Sequence, residues 1–154
     1  MREEDEDKKG VKTNFFDFLE RDNRKIDPVA EKYATEAVDA MIEVHRHLGP
    51  GHPEKVYENA LCIELDFRGI PYERQLPVKL SYKGQSVGES FVDVLIGGIL
   101  VLELKSVEML SPTHKAQVNS YLAALKLHLG LLANFNSAMM RDGIKRVIRS
   151  YTSS

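Results

Sequence analysis

The stretch Phe91 to Ser106, F-V-D-V-L-I-G-G-I-L-V-L-E-L-K-S, constrains the fold more than any other part of the chain. Two runs of strand-forming residues, Phe91 to Ile96 and Ile99 to Leu104, flank a Gly-Gly pair that can take the positive φ angles of a tight hairpin turn. Within these apolar runs stand Asp93, Glu103 and Lys105, three charges at positions where burial is expected. An isolated buried charge is costly unless it is paired or bound to a metal, so three in one hairpin require a joint explanation.

The elements around the hairpin follow from capping signals and period. Asp27-Pro28 starts a helix whose apolar face, Tyr33, Ala37, Met41, Val44 and Leu48, runs to the break at Gly49-Pro50-Gly51. A second helix is expected from about Glu54 to Arg68, closed by Gly69. From Tyr72 the period becomes two: strands are predicted over Tyr72 to Ser81 and Ser86 to Ile96, joined at Lys83-Gly84, and over Ile99 to Lys105. Ser111-Pro112 begins a helix to about Leu127, with Val118, Leu122 and Leu125 buried. Leu129 to Phe135 reads as a strand covered on both faces, and Asp142-Gly143 turns into a last strand, Ile144 to Arg149. The order α-α-β-β-β-α-β-β describes an α/β protein with helices packed on a sheet.

Charge and composition narrow the class. A chain of 154 residues, 43% apolar and 29% charged, has the make-up of one soluble globular domain, expected over 27–150. Residues 1–26 read as an acidic, partly disordered arm carrying the phenylalanine-rich segment Asn14 to Leu19, which would dock on the body or bind a partner. No apolar run is long enough to span a bilayer and the start lacks a signal-peptide pattern, so a cytoplasmic protein is expected. Cys62, the single cysteine, reads as a small buried side chain. His45, His47, His52 and His128 have no partner at a zinc spacing. The net charge of −2 gives no global signature of a nucleic-acid binder, although Arg141, Lys145, Arg146 and Arg149 form a basic stretch near the end.

The hairpin charges suit hydrolysis assisted by a metal ion. Hard divalent cations such as Mg²⁺ prefer carboxylate oxygens, and two carboxylates on adjacent strands can hold one beside a scissile phosphate. Glu103 and Lys105, two apart on a strand, share a face, which sets an ammonium where it can orient the attacking water and offset phosphate charge. Register is the condition. A strict two-residue turn would oppose Asp93 to Leu102 and turn it away from Glu103; a three-residue loop (Gly97, Gly98, Ile99) or a β-bulge would bring both acids to one face.

Asp93 followed by Glu103-Leu104-Lys105 resembles the D-x(n)-E-x-K signature of the PD-(D/E)XK nuclease superfamily, and Gly51 to Tyr57 (G-H-P-E-K-V-Y) resembles the motif of its GxxExxY group, which is bacterial and archaeal. Val44 to Gly51, Arg68 to Gln75, Val101 to Lys105 and Asn134-Phe135-Asn136 are also similar to that group, so that the likeness covers about Ala37 to Val147. It implies a restriction-endonuclease-like core, α-β-β-β-α-β, with a central mixed sheet flanked by helices. It also implies a nuclease using Mg²⁺ or Mn²⁺ on DNA or RNA, with Asp93 and Glu103 as metal ligands and Lys105 positioning the water. Glu54 would be a further ligand, with Glu58 one turn on as its competitor. Gln117 and Tyr121 are similar to a Q-x-x-x-Y pair on the helix after the E-x-K strand, and with His114 they would contact substrate phosphate or brace the lysine. The proline that often precedes the aspartate is replaced by Val92. Two readings follow: a nuclease, alone or as a homodimer, or a nuclease-fold module that works through a protein partner.

Overall fold

The computed structural model describes residues 26–151. The acidic arm and its phenylalanines lie outside the described residues, except Ile26, which packs against the core. Helix α1, Pro28–Leu48, starts where the Asp27 carboxylate accepts the Val29 N–H at 2.7 Å. Its buried face includes Ala37, Met41 and Val44, with Tyr33 and Leu48 half-buried at the margin. Helix α2, Glu54–Phe67, ends in a Schellman turn: the N–H of Ile70 reaches the Leu65 carbonyl at 3.0 Å, around Gly69 at φ +67°.

Strands β1 (Tyr72–Tyr82), β2 (Gln85–Ile96) and β3 (Leu100–Lys105) form an antiparallel meander. Helix α3, Pro112–Leu125, then carries the chain across to β4 (Leu129–Asn134), which lies parallel to β3, and a 3-10 turn, Met140–Gly143, leads into β5 (Ile144–Ile148). The five strands lie in sequence order in one mixed sheet. Against one face, α1 and α2 pack on Ile96, Leu100, Leu102, Leu104 and Leu131. Against the other, α3 packs Val118, Tyr121 and Leu122 on Val92, Val101 and Leu132. This is the expected order, and the largest shortening is in α3, which stops two residues early because Lys126 turns left-handed (φ +58°) and the Leu127 N–H bonds back to Leu122. Among the described residues, no helix is long and apolar enough to cross a membrane.

Besides a register shift at Leu80/Ser81, two irregularities shape the meander near the acids. The β2–β3 turn is the three-residue loop: Ile96 pairs with Leu100 and Val94 with Leu102, so Asp93 is the next residue in line with Glu103. Gly97 and Gly98 stand at φ +60° and +70°, and the loop closes with Ile99 N–H to Ile96 C=O at 3.0 Å. The second irregularity is in β1, where Arg74 pairs with Val94 and Leu76 with Val92, while Gln75, opposite Asp93, has φ +49°. Val94 packs with α1 and α2, yet Val92, two residues away, packs with α3. The β1–β2 hairpin therefore changes face at the Gln75–Asp93 pair.

The loop glycines are not equivalent. A Cβ on Gly97 would stand 2.3 Å from the Tyr33 ring, whereas one on Gly98 meets open space. Urea unfolding should show Gly97→Ala losing roughly 2–4 kcal/mol, against about 1 kcal/mol for Gly98→Ala, which bears only the left-handed backbone cost. Equal losses would show that the Tyr33 contact does not constrain the turn.

Candidate active site

Gln75, Asp93 and Glu103 occupy one row across β1, β2 and β3. Asp93 is 9% and Glu103 3% exposed, so the three-residue loop brings both carboxylates into the interior together. One Asp93 oxygen, Oδ2, accepts the Leu104 backbone N–H at 2.8 Å, and Oδ1 accepts the Gln75 amide at 3.3 Å. Glu103 Oε2 lies 3.3 Å from Lys105 Nζ. Its other oxygen, Oε1, is buried with no hydrogen-bond partner among the described residues. Burial first, and the Asp93 charge second, push the Glu103 carboxyl up to about 8 against the pull of Lys105. Burial also raises the Asp93 carboxyl, and the Leu104 N–H opposes it.

Helix α2 supplies two acids in different situations. Glu54, in the first turn, is exposed, and its carboxyl is raised by partial burial and by the charges of Asp93 and Glu58, with Lys105 opposing. Glu58, one turn on, is buried and fully engaged: Arg74 grips Oε2 at 2.8 and 3.1 Å, Lys55 approaches it at 3.3 Å, and Gln75 donates to Oε1 at 2.7 Å. The start of α2 is held by Tyr57, whose hydroxyl donates to the Gly49 carbonyl at 2.5 Å and accepts the His52 N–H at 3.1 Å. Its ring stacks on Phe135 with centroids 4.6 Å apart. Ser106, just after β3, donates to the His52 carbonyl at 2.7 Å and ties this loop to the strand that carries Glu103 and Lys105.

On α3, Gln117 donates to the Tyr121 hydroxyl at 3.0 Å, and that hydroxyl shares a 2.8 Å hydrogen bond with Ser90 of β2. His114 sits in a capping box, its Nδ1 accepting the Ser111 N–H at 3.0 Å. Among the described residues, none of these three hydrogen-bonds to Asp93, Glu103 or Lys105. The basic stretch from the 3-10 turn into β5 is divided: Arg141 and Lys145 are exposed, whereas Arg146 is buried and forms a two-pronged pair with Glu31. Sequence reasoning assigned no role to Gln75 or Arg74; the one signal was their place in the Arg68 to Gln75 stretch.

A divalent cation suits the Asp93–Glu103 pair on chemical grounds. Two hard oxygen donors are held side by side away from water, and one buried Glu103 oxygen has no hydrogen-bond partner among the described residues. Among the described residues, no group of three or more His, Cys, Asp or Glu side chains is gathered closely enough to hold a metal ion, so Glu54 stands near the pair without closing on it. A sequence profile of the PD-(D/E)XK nuclease superfamily matches residues 31–147. The chain belongs to that superfamily. Its α/β, restriction-endonuclease-like fold, with helices flanking a mixed sheet, is the one this PD-(D/E)XK chain expects from its sequence. Searches of characterised proteins and of solved structures returned no match.

The charge state of Glu103 has a thermodynamic consequence. The folded protein holds the Glu103 proton more tightly than the unfolded chain, whose value lies near 4.5. This contribution to stability is therefore full below the unfolded value and is lost as pH rises through about 8. Replacing Glu103 with Gln removes the buried charge, so thermal melts without metal should show Glu103→Gln gaining roughly 1–2 kcal/mol at pH 9, about 3–8 °C in Tm, and almost nothing near pH 5. A wild type equally stable at both ends of that range would show that Glu103 is not desolvated.

Proposed function

We propose that this chain is a Mg²⁺- or Mn²⁺-dependent phosphodiesterase of the GxxExxY group, acting on DNA or RNA in the cytoplasm through a single domain over 27–150. The observation that carries the reading is the buried Asp93–Glu103 pair with an unpartnered Glu103 oxygen and Lys105 alongside. Asp93 and Glu103 would hold the cation, with Glu54 joining them from α2. Glu54 suits that role better than Glu58, because Glu58 is already occupied by Arg74, Lys55 and Gln75. When bound, the cation supplies Lewis acidity toward a phosphate oxygen and makes a water more acidic. Lys105, with 15% of its side chain exposed, donates from the rim of the site to orient a water and offset charge on the phosphate. Gln117 and Tyr121 brace α3 against β2 on the substrate side, and His114 fixes the start of that helix.

A second reading is a catalytically silent nuclease-fold module that works through a protein partner. The separation of Glu54 from the Asp93–Glu103 pair favours it, since no three-ligand group is assembled among the described residues.

Two experiments separate the readings. Asp93→Asn and Lys105→Ala should each lower phosphodiester cleavage by at least roughly 100-fold while the circular dichroism spectrum is retained; cleavage at the wild-type rate in both would sink the enzyme. Calorimetric titration with Mn²⁺ should show binding by wild type and none by Glu103→Ala, with affinity rising from pH 6 to 9 as the cation displaces the Glu103 proton. Wild type that takes up no Mn²⁺ favours the module.

A further inference from the structure

We infer that Gln75 is a positioning residue: its carboxamide holds Asp93 in line with Glu103 by bonding to Asp93 and Glu58 together, at the point where the hairpin changes face. Three observations meet on this side chain. Its backbone is left-handed (φ +49°) in the middle of a strand, a conformation that costs a non-glycine residue free energy and persists only where the surroundings enforce it. The carboxamide nitrogen donates to Glu58 Oε1 at 2.7 Å and to Asp93 Oδ1 at 3.3 Å, so one NH₂ group spends both hydrogens on two buried acids. On either side of the Gln75–Asp93 pair, the hairpin packs into opposite helix layers.

These observations have a common cause. An Asp93 side chain at a face change has no flat sheet to define its direction. It is fixed instead by two bonds, Leu104 N–H to Oδ2 and Gln75 to Oδ1. Glu58 accepts the other hydrogen of the same NH₂ group and is itself anchored by Arg74, the residue before Gln75. The left-handed turn allows adjacent residues to reach the same carboxylate: Arg74 and Gln75, which in a regular strand would point to opposite faces, both contact Glu58. The chain Arg74, Glu58, Gln75, Asp93, Leu104 N–H thus connects α2 to β3 through the site.

A purely structural Gln75 would serve only as a backbone joint, and glycine would then be the better residue. Gln75→Gly separates the two roles, because it relieves the backbone and deletes the amide. It should remain folded, because the relieved backbone offsets part of the cost of leaving Glu58 and Asp93 each one donor short. In the metal-free protein its Leu104 amide should exchange with solvent at least about tenfold faster, while the Leu102 amide in the same strand is unchanged. Its Mn²⁺ affinity should fall about tenfold, as for other groups that orient a metal ligand. Leu104 exchange within twofold of wild type overturns the positioning role. Faster exchange with unchanged Mn²⁺ affinity overturns its bearing on the cation. That part rests on the phosphodiesterase reading; a wild type that binds no Mn²⁺ sinks that reading and leaves Leu104 exchange to decide Gln75. If Gln75→Gly does not fold, Gln75→Asn, which tolerates the left-handed backbone but is one methylene too short, is read by the same two measurements.

Discussion

Removing two carboxylates from water side by side is the constraint on which the centre of this protein depends. Among the described residues, neither Asp93 nor Glu103 is opposed by a buried arginine, the usual way of neutralising such a charge. Asp93 is instead held by a backbone N–H and an amide, and Glu103 by one ammonium on one of its oxygens. The acids are thus only partly compensated, and the proton that Glu103 retains toward neutral pH measures the shortfall. A site in this condition has an intrinsic appetite for positive charge, supplied by a proton or by a cation.

The surrounding elements serve to keep that arrangement in place. The β2–β3 loop sets the register, α2 contributes a locked acid and an open one within a single turn, and Tyr57 fixes the loop from which α2 starts. The parallel β3–β4 pair brings the ends of both strands to one edge. There Asn134 bonds to both backbone groups of Val107, and Asn136 accepts the Gly51 N–H at 3.1 Å. The segments flanking the site are therefore fixed to each other as well as to the sheet.

Much of this was legible in the sequence because it depends on local signals. Asp27 and Ser111 followed by proline, Gly69 after an apolar period, and the glycines of the hairpin each act within a few residues of their effect. The need for an irregular turn was legible too, since it follows from the alternation of side chains about Asp93 and Glu103. Other features are set by distant partners. Glutamine has no special preference for the left-handed region, so nothing in the residues around Gln75 marks the change of face. The end of α3 at Lys126 is hidden for the same reason. Glu54 and Glu58 look alike along the helix, and Arg74 and Gln75, sixteen and seventeen positions beyond Glu58, help to tell them apart. Arg146 reads as one member of an exposed basic stretch, because its partner Glu31 is 115 residues away.

That last pair ties the first helix to the last strand. Arg146 is buried, and Glu31 holds it with both carboxylate oxygens, while β5 covers the open side of β4. A ribosome-bound chain that has emerged only as far as α3 would possess the hairpin and every acid near it. It would lack both β4, against which β3 is laid, and the arginine that answers Glu31. The side of β3 that β4 covers, with Glu103 opposite Leu132, would have no strand beside it until β4 arrived. The setting of the acids thus belongs to the completed sheet and draws on elements from α1 to β5.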